Sequence, residues 1–303
     1  MIASLILLLL FFLFQVLGLL LALFLSGQDV AGLMALAQGT ASPDYVALGR
    51  GMCYAEAILA AGVYVWYRLS KKRSELDDNV ADAIHDAEEA VRRHSNPSGA
   101  FQRLMQRYQQ AALKARRTCP PLRHQLRATV ALLCVALGLN CWLSPLGLDD
   151  AGSTAIFEAQ SRDAVCLLLL CVVGPLAEEL IFRAGITRIL LRRGLTPLMA
   201  AALAAFCFGI FHGNLLQGIP AFLVGILLGL FFCHSGNLTL CLPAHIANNT
   251  LAVVLMYFPA IEAATADLSP ALLLPLGALL LCAGLWLARP FVKKALIPLS
   301  RTA

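Results

Sequence analysis

The chain has 303 residues, of which 59% are hydrophobic and only 14% are charged. Soluble globular domains carry roughly 25% charged residues, and the mean hydropathy of +0.76 departs from them in the same direction. The composition therefore excludes an ordinary water-soluble domain. The formal net charge of +5 is explained better by membrane topology than by nucleic-acid binding, because the basic residues cluster beside apolar segments.

Apolar segments of about 18 residues or more predict membrane-spanning helices. The longest, MIASLILLLLFFLFQVLGLLLALFL at 1–25, has no basic residue before it and so lacks the charged start of a cleaved signal peptide. We expect it to be a retained first helix. Further spans are predicted at 46–67, 125–146, 164–191, 197–212, 218–234, 238–258 and 270–288. The fold class is thus all-α, a polytopic bundle of about eight transmembrane helices.

The distribution of Lys and Arg orients these helices. More than half of the 23 basic residues lie in 68–127, which the positive-inside rule places in the cytoplasm. The acidic connections at 26–45, 147–163 and 259–269 then fall outside. An integral, multi-pass membrane protein is expected, with both termini and the polar insert in the cytoplasm.

Composition divides the chain into four regions. These are N-terminal transmembrane helices at 1–67, a polar insert at 68–124, a transmembrane core at 125–288 and a basic cytosolic tail at 289–303. Within the insert, 75–94 and 100–117 suit two helices separated by the breaker SNPSG. We expect a cytosolic helical hairpin packed on the membrane domain. An interfacial helix on anionic lipid and a docking arm for a protein partner are the alternatives.

Three charges interrupt one predicted span, in the stretch GPLAEELIFRAG at 174–185. A charge at membrane depth costs at least about 2.5–3.5 kcal/mol on insertion scales, so such residues face the bundle interior and mark function. Glu179 and Arg183 stand at i and i+4 and are predicted to form an ion pair. Glu178 points about 100° away, without a partner in its own helix, which suits a proton acceptor. The alternative is a buried salt bridge with a spare glutamate.

Two later apolar segments contribute further polar groups. Phe208 and His212 stand at i and i+4 in FCFGIFHGN, and His245 and Asn249 have the same spacing in CLPAHIANNTL. A lone buried histidine is more often a satisfied core residue than a catalyst. Two histidines, an asparagine and a glutamate on separate helices form a constellation, and we expect them to act together.

Three kinds of chemistry could use these groups. His212, His245 and Glu178 could bind a metal ion, although no HExxH motif supports a zinc protease site. Glu178 and His212 could activate water while His245 and Asn249 donate hydrogen bonds to an oxyanion. Glutamate and histidine could also relay protons or ions in a transporter.

At these residues the sequence resembles a known family. EELIFR at 178–183, FGIFH at 208–212 and SGNLTLCLPAHIANN at 235–249 look like the motifs EExxxR, FxxxH and HxxxN of the CPBP intramembrane proteases. That family includes the CAAX prenyl endopeptidases and bacteriocin-processing or immunity-associated membrane proteins. The resemblance covers about 164–258 and does not extend to the polar insert.

The resemblance implies a glutamic intramembrane endopeptidase that uses no metal or other cofactor. Its substrate would be a membrane-associated or lipidated protein or peptide in the bilayer. By the same resemblance, Glu178 and His212 activate the water, and His245 and Asn249 form the oxyanion hole. The implied supporting residues are Glu179, Arg183 and Phe208.

Two other classes of function remain as alternatives. The chain could be a non-catalytic immunity or scaffold protein that keeps the motifs for structure, or a transporter with a Glu and His proton relay. Transporters are typically built from repeated halves, and no internal repeat is present in the sequence.

Three finer expectations concern the core. Glu178 falls near mid-span whereas His212 falls toward the outer end of its helix, so tilted or offset helices are predicted there. The GxxxG at Gly225 and Gly229 predicts close helix packing rather than chemistry. Asn248 lies one position off the motif, and its role is left open.

Overall fold

A computed structural model describes residues 120–149, 153–193, 195–258 and 268–296, together with single residues and short runs between 9 and 65. All regular secondary structure among them is helical. In chain order the main helices are α1 (Leu122–Leu143), α2 (Ser153–Ser161), α3 (Ala164–Arg192), α4 (Pro197–Ile210), α5 (Leu215–Ser235), α6 (Cys241–Met256) and α7 (Pro270–Leu296). A 3-10 turn at Ser144–Leu146 extends α1.

Four of the described helices are long and apolar enough to cross a membrane: α1 with its extension, α3, α5 and α7. The other two apolar helices are shorter, with 14 residues in α4 and 16 in α6, where a full span needs roughly 20. Large apolar side chains such as Leu279 and Trp286 of α7 are exposed, as lipid contact allows. The predicted all-helical membrane domain is therefore confirmed.

Each predicted span between 125 and 288 corresponds to one described helix. Helix α5 is longer than predicted, and α7 continues into the basic segment that begins at 289. The spans at 1–25 and 46–67 fall partly outside the described residues, so the count of eight stays a prediction. The insert lies outside the described residues up to position 119, and its hairpin and the domain boundaries also stay predictions.

Helix α3 passes through the core and is wound more widely than an α-helix in two places. Leu169–Val173 and Glu179–Thr187 form π-helical turns, in which an N–H bonds to the carbonyl five residues earlier. All nine residues of the second segment are buried. Apolar side chains of α3 such as Phe182 pack against Leu132 of α1 and Phe231 of α5 in one cluster.

The start of α3 is fixed by Asp163, whose carboxylate accepts a hydrogen bond from the Cys166 N–H at 3.0 Å. Asp163 also forms an ion pair with Arg50 from the N-terminal region. The Arg50 guanidinium, together with the Cys166 N–H, holds the pKa of Asp163 below its usual value. The Tyr257 hydroxyl donates to the Ser161 carbonyl and ties the end of α6 to the same region.

Small residues let α1 and α7 approach closely. A Cβ on Gly284 would lie 2.7 Å from Val135 Cγ2 and 2.8 Å from the Ala131 carbonyl oxygen. A Cβ on Gly138 would lie 2.8 Å from the Gly277 carbonyl oxygen. The backbones therefore touch at two levels, as small residues permit between membrane helices.

Gly284→Ala should lower the free energy of unfolding by about 1–3 kcal/mol, because the added methyl must push the α1 backbone away. Thermal unfolding in detergent measures the change. Gly62→Ala is the matched control, since nothing lies within 4 Å of its added Cβ and alanine is the better helix former. Equal destabilisation by the two variants would contradict the close α1–α7 contact.

Candidate active site

The site is built around an ion pair in the second wide segment of α3. Glu179 and Arg183 are 0% and 1% exposed, and Arg183 Nη1 lies 3.2 Å from Glu179 Oε1. The ion pair predicted from the i, i+4 spacing is confirmed. The second carboxylate oxygen, Glu179 Oε2, has no hydrogen-bond partner among the described residues.

His245 of α6 lies between the two glutamates. Its Nδ1 is 2.9 Å from Glu179 Oε1, and its Nε2 is 3.4 Å from Glu178 Oε2. His245 is itself 4% exposed. Glu178 thus has a contact on α6, and one imidazole links the carboxylate of the ion pair to its neighbour.

The two carboxylates differ in their access to solvent. The Glu179 side chain is fully buried, whereas that of Glu178 is 22% exposed. Only Glu178 can be reached from outside the cluster. The two carboxylates therefore differ in burial, while their division into a structural and a chemical role stays a prediction.

Two further contacts hold the Arg183 guanidinium. Its Nη2 donates to the Gly225 carbonyl oxygen on α5 at 3.3 Å, and its central carbon lies 4.7 Å from the centre of the Phe208 ring. A cation over an aromatic face is attracted by the ring quadrupole, more strongly where water is excluded. Helices α4 and α5 thus help to place the charge that pairs with Glu179.

Phe208 of α4 is the common neighbour of the site. Its ring meets His212 at 4.8 Å and His245 at 5.8 Å between centroids, in both cases nearly perpendicular. The same ring packs against Phe182 at 5.2 Å. Phe208 therefore contacts both histidines and restricts the orientation of each ring.

His212 lies in the turn between α4 and α5. Its Nδ1 is 2.9 Å from the Phe208 carbonyl oxygen. A carbonyl only accepts, so Nδ1 carries a proton there, and in the neutral ring Nε2 keeps its lone pair. Gly213, with φ of +75°, turns the chain, and Asn214 begins α5 by accepting from the Gln217 N–H at 2.9 Å.

Asn249 is oriented by the first wide turn of α3. Its Nδ2 donates to the Leu170 carbonyl oxygen at 3.1 Å. In this turn Gly174 N–H bonds to Leu169, so the next donor would belong to Pro175, which has no N–H. The Leu170 carbonyl is therefore available to the side chain. Asn248 Nδ2 donates to Asn249 Oδ1 at 3.4 Å. Asn248 therefore helps to hold the side-chain amide of Asn249.

A chain of contacts links the end of α4 to the middle of α3. Helix α4 ends at Ile210 after 14 residues. Contacts run from His212 through Phe208 to His245 and on to Glu178. The three sequence motifs are therefore connected through the side chains of three helices, and the predicted tilt or offset of α3 and α4 stays a prediction.

Two contributions to the site were not found from the sequence. The carbonyls of Leu170 and Gly225 are backbone groups, which carry no residue-type signal. Pro175 was the one available clue to the first, because a residue without an N–H leaves a carbonyl open within a span. Gly225 was assigned to helix packing only.

The metal-binding hypothesis finds no support in the arrangement of side chains. Among the described residues, no group of three or more His, Cys, Asp or Glu side chains is placed to hold a metal ion. His212, His245 and Glu178 are close neighbours, but they are not gathered as a ligand set.

The fold and site together define a helical integral membrane protein with a polar cluster of glutamate, arginine and histidine inside its bundle. Residues 160–251 match the family model described as type II CAAX prenyl endopeptidase Rce1-like. All three motifs lie within this segment, and the resemblance to the CAAX protease family is confirmed. The matched family consists of proteases, which supports a peptidase activity for this chain. No curated protein and no solved structure matches the chain.

Arg183→Ala should lower the free energy of unfolding by about 3–5 kcal/mol, because it leaves Glu179 buried without its counter-charge. Denaturation in detergent measures the loss. The double variant Glu179→Gln with Arg183→Met should be less destabilised than Arg183→Ala alone, since it removes both charges. If the losses measured for Glu179→Gln and for Arg183→Met simply add in the double variant, the ion pair is not coupled and the account is contradicted.

Proposed function

We propose that the protein is an intramembrane glutamic endopeptidase that hydrolyses a peptide bond with water activated by Glu178 and His212. The proposal rests on the unequal solvent exposure of the Glu178 and Glu179 carboxylates. Both lie in the segment that matches a protease family. Glu179 is occupied by Arg183 and His245, while the partly exposed Glu178 can meet a water molecule.

Glu178 acts as the proton acceptor. The water oxygen attacks the carbonyl carbon of the scissile bond, and its proton passes to Glu178. His212 assists through Nε2, because its Nδ1 is already committed to the Phe208 carbonyl. The ring is held in one orientation by that bond and by the Phe208 face, which favours a repeatable attack geometry.

His245 and Asn249 stabilise the oxyanion that forms. The His245 Nδ1–H stays with Glu179 Oε1 at 2.9 Å, while its Nε2, 3.4 Å from Glu178 Oε2, becomes available to the oxyanion once Glu178 has taken the proton of the water. An amide group has two N–H donors, so the bond from Asn249 to Leu170 leaves a second one for the oxyanion. Preorganised donors of this kind contribute strongly when water is excluded.

Collapse of the tetrahedral intermediate completes the reaction. The C–N bond breaks as the proton held by Glu178 is delivered to the leaving nitrogen, giving one carboxyl and one amino terminus. Glu178 returns to its carboxylate form. Every proton is accounted for by the water and the side chains of the site.

The substrate we propose is a membrane-associated or lipidated protein or peptide. The family description names prenyl endopeptidases, and a site enclosed by membrane helices favours a substrate that is itself held in the bilayer. The proposed orientation places both termini and the 68–124 insert in the cytoplasm, where the insert could contact a protein partner.

Glu178→Gln should abolish cleavage, with a loss of about 100-fold or more, because an amide cannot accept the proton. The loss of cleavage is measured by quantitative analysis of protein termini in the native host, comparing wild type with Glu178→Gln. The same comparison identifies the substrate. Glu158→Gln, an exposed glutamate of α2, is the matched control.

Retained cleavage in Glu178→Gln would contradict the activation of water by this carboxylate. If no terminus changes while Glu178→Gln reproduces the effect of deleting the protein, the carboxylate serves transport instead. If neither the termini nor the host phenotype responds, a non-catalytic role is supported.

Chelation should leave cleavage by the purified protein unchanged, because the proposed mechanism activates water with Glu178 and His212 and uses no metal ion. Initial rates before and after prolonged treatment with a strong chelator, then with zinc added back, provide the measurement. Loss of activity that only zinc restores would contradict the metal-free mechanism.

A further inference from the structure

Gly225 touches two groups of the site at once, although it belongs to none of the three motifs. Its carbonyl oxygen accepts the hydrogen bond from Arg183 Nη2 at 3.3 Å. A Cβ at this position would lie 3.2 Å from Phe208 Cδ1 and 3.0 Å from Ala205 Cβ. The Phe208 ring therefore rests directly on the Gly225 backbone.

The Phe208 ring placed in this way contacts both histidines of the site and the Arg183 guanidinium. It lies 4.7 Å from the Arg183 guanidinium carbon, 4.8 Å from the His212 ring and 5.8 Å from the His245 ring. A contact of 3.2 Å requires the neighbour to give by a few tenths of an ångström. Any such movement of Phe208 is passed to both histidines and to Arg183.

Gly229, one turn later on α5, provides a comparison within the same GxxxG. Its Cβ would lie 2.7 Å from Ala201 Cβ and 3.0 Å from Ala201 Cα, with no motif residue among its three nearest atoms. Gly229 is therefore needed for close packing of α4 on α5. Gly225 is also needed for this packing, and in addition it contacts Phe208 and Arg183 of the site.

We propose that Gly225 is a positioning residue for the peptidase site, acting through the Phe208 ring and the Arg183 guanidinium. The inference rests on the proposed function in one respect, since positioning is scored partly by peptide cleavage. The absence of a side chain lets the Phe208 ring approach α5 closely, while the Gly225 carbonyl holds the guanidinium over that ring.

Four forms of the full-length protein in detergent test this: wild type, Gly225→Ala, Gly229→Ala and the double variant Gly225→Ala with Ala205→Gly. The double variant removes the Ala205 methyl and leaves the tight contact with Phe208 Cδ1 at 3.2 Å beside an ordinary contact with the Cα of residue 205 at 3.4 Å. Three quantities are measured: the thermal midpoint, kcat and KM on the identified substrate, and the imidazole NMR signals of His212 and His245 labelled with nitrogen-15. His212→Gln and His245→Gln assign the signals.

Gly225→Ala should lower kcat about tenfold or more, with KM within about twofold, because the effect lies in the geometry of reaction rather than in binding. The signals of His212 and His245 should move. Gly229→Ala should lower the thermal midpoint and leave both signals in place. The double variant should regain stability without regaining kcat, and it stands in for Gly225→Ala if that variant does not fold.

Recovery of kcat in the double variant, or unchanged histidine signals in both Gly225→Ala forms, would overturn the inference and leave Gly225 a packing residue. If the wild type cleaves nothing, the proposed function fails by itself. The histidine signals then decide the positioning role alone, because they require no turnover.

Discussion

A fully buried ion pair between Glu179 and Arg183 constrains everything near it. Charges removed from water must find their hydrogen bonds inside the protein, or the pair costs more than it returns. Helix α4 supplies the Phe208 face, α5 the Gly225 carbonyl and α6 the His245 imidazole. Three helices are thus fixed in position and direction by one pair of side chains on a fourth.

The widened winding of α3 serves the same constraint. The second wide segment sets Glu179 and Arg183 within 3.2 Å of each other in a wholly buried stretch. The first leaves the Leu170 carbonyl open because Pro175 cannot donate, and Asn249 takes it. The α-helical hydrogen-bond pattern of α3 changes to a π-helical one at the two places where side chains from α6 approach.

The sequence was sufficient for the helices and for the identity of the polar residues. Apolar length predicted the spans, and i, i+4 spacing predicted the Glu179–Arg183 ion pair. Spacing could not predict that His245 bridges two carboxylates, because that depends on how α6 packs on α3. Nor could it predict contributions from the carbonyls of Leu170 and Gly225, which any residue type could provide.

The central claim is that the doublet is divided, with Glu179 holding the fold and Glu178 serving the chemistry. Purified Glu178→Gln and Glu179→Gln, compared for thermal midpoint and turnover in one preparation, test it most directly. The account predicts that Glu178→Gln keeps a midpoint near that of wild type with no turnover, while Glu179→Gln unfolds at a clearly lower temperature. A stable, inactive Glu179→Gln beside an active Glu178→Gln would contradict it.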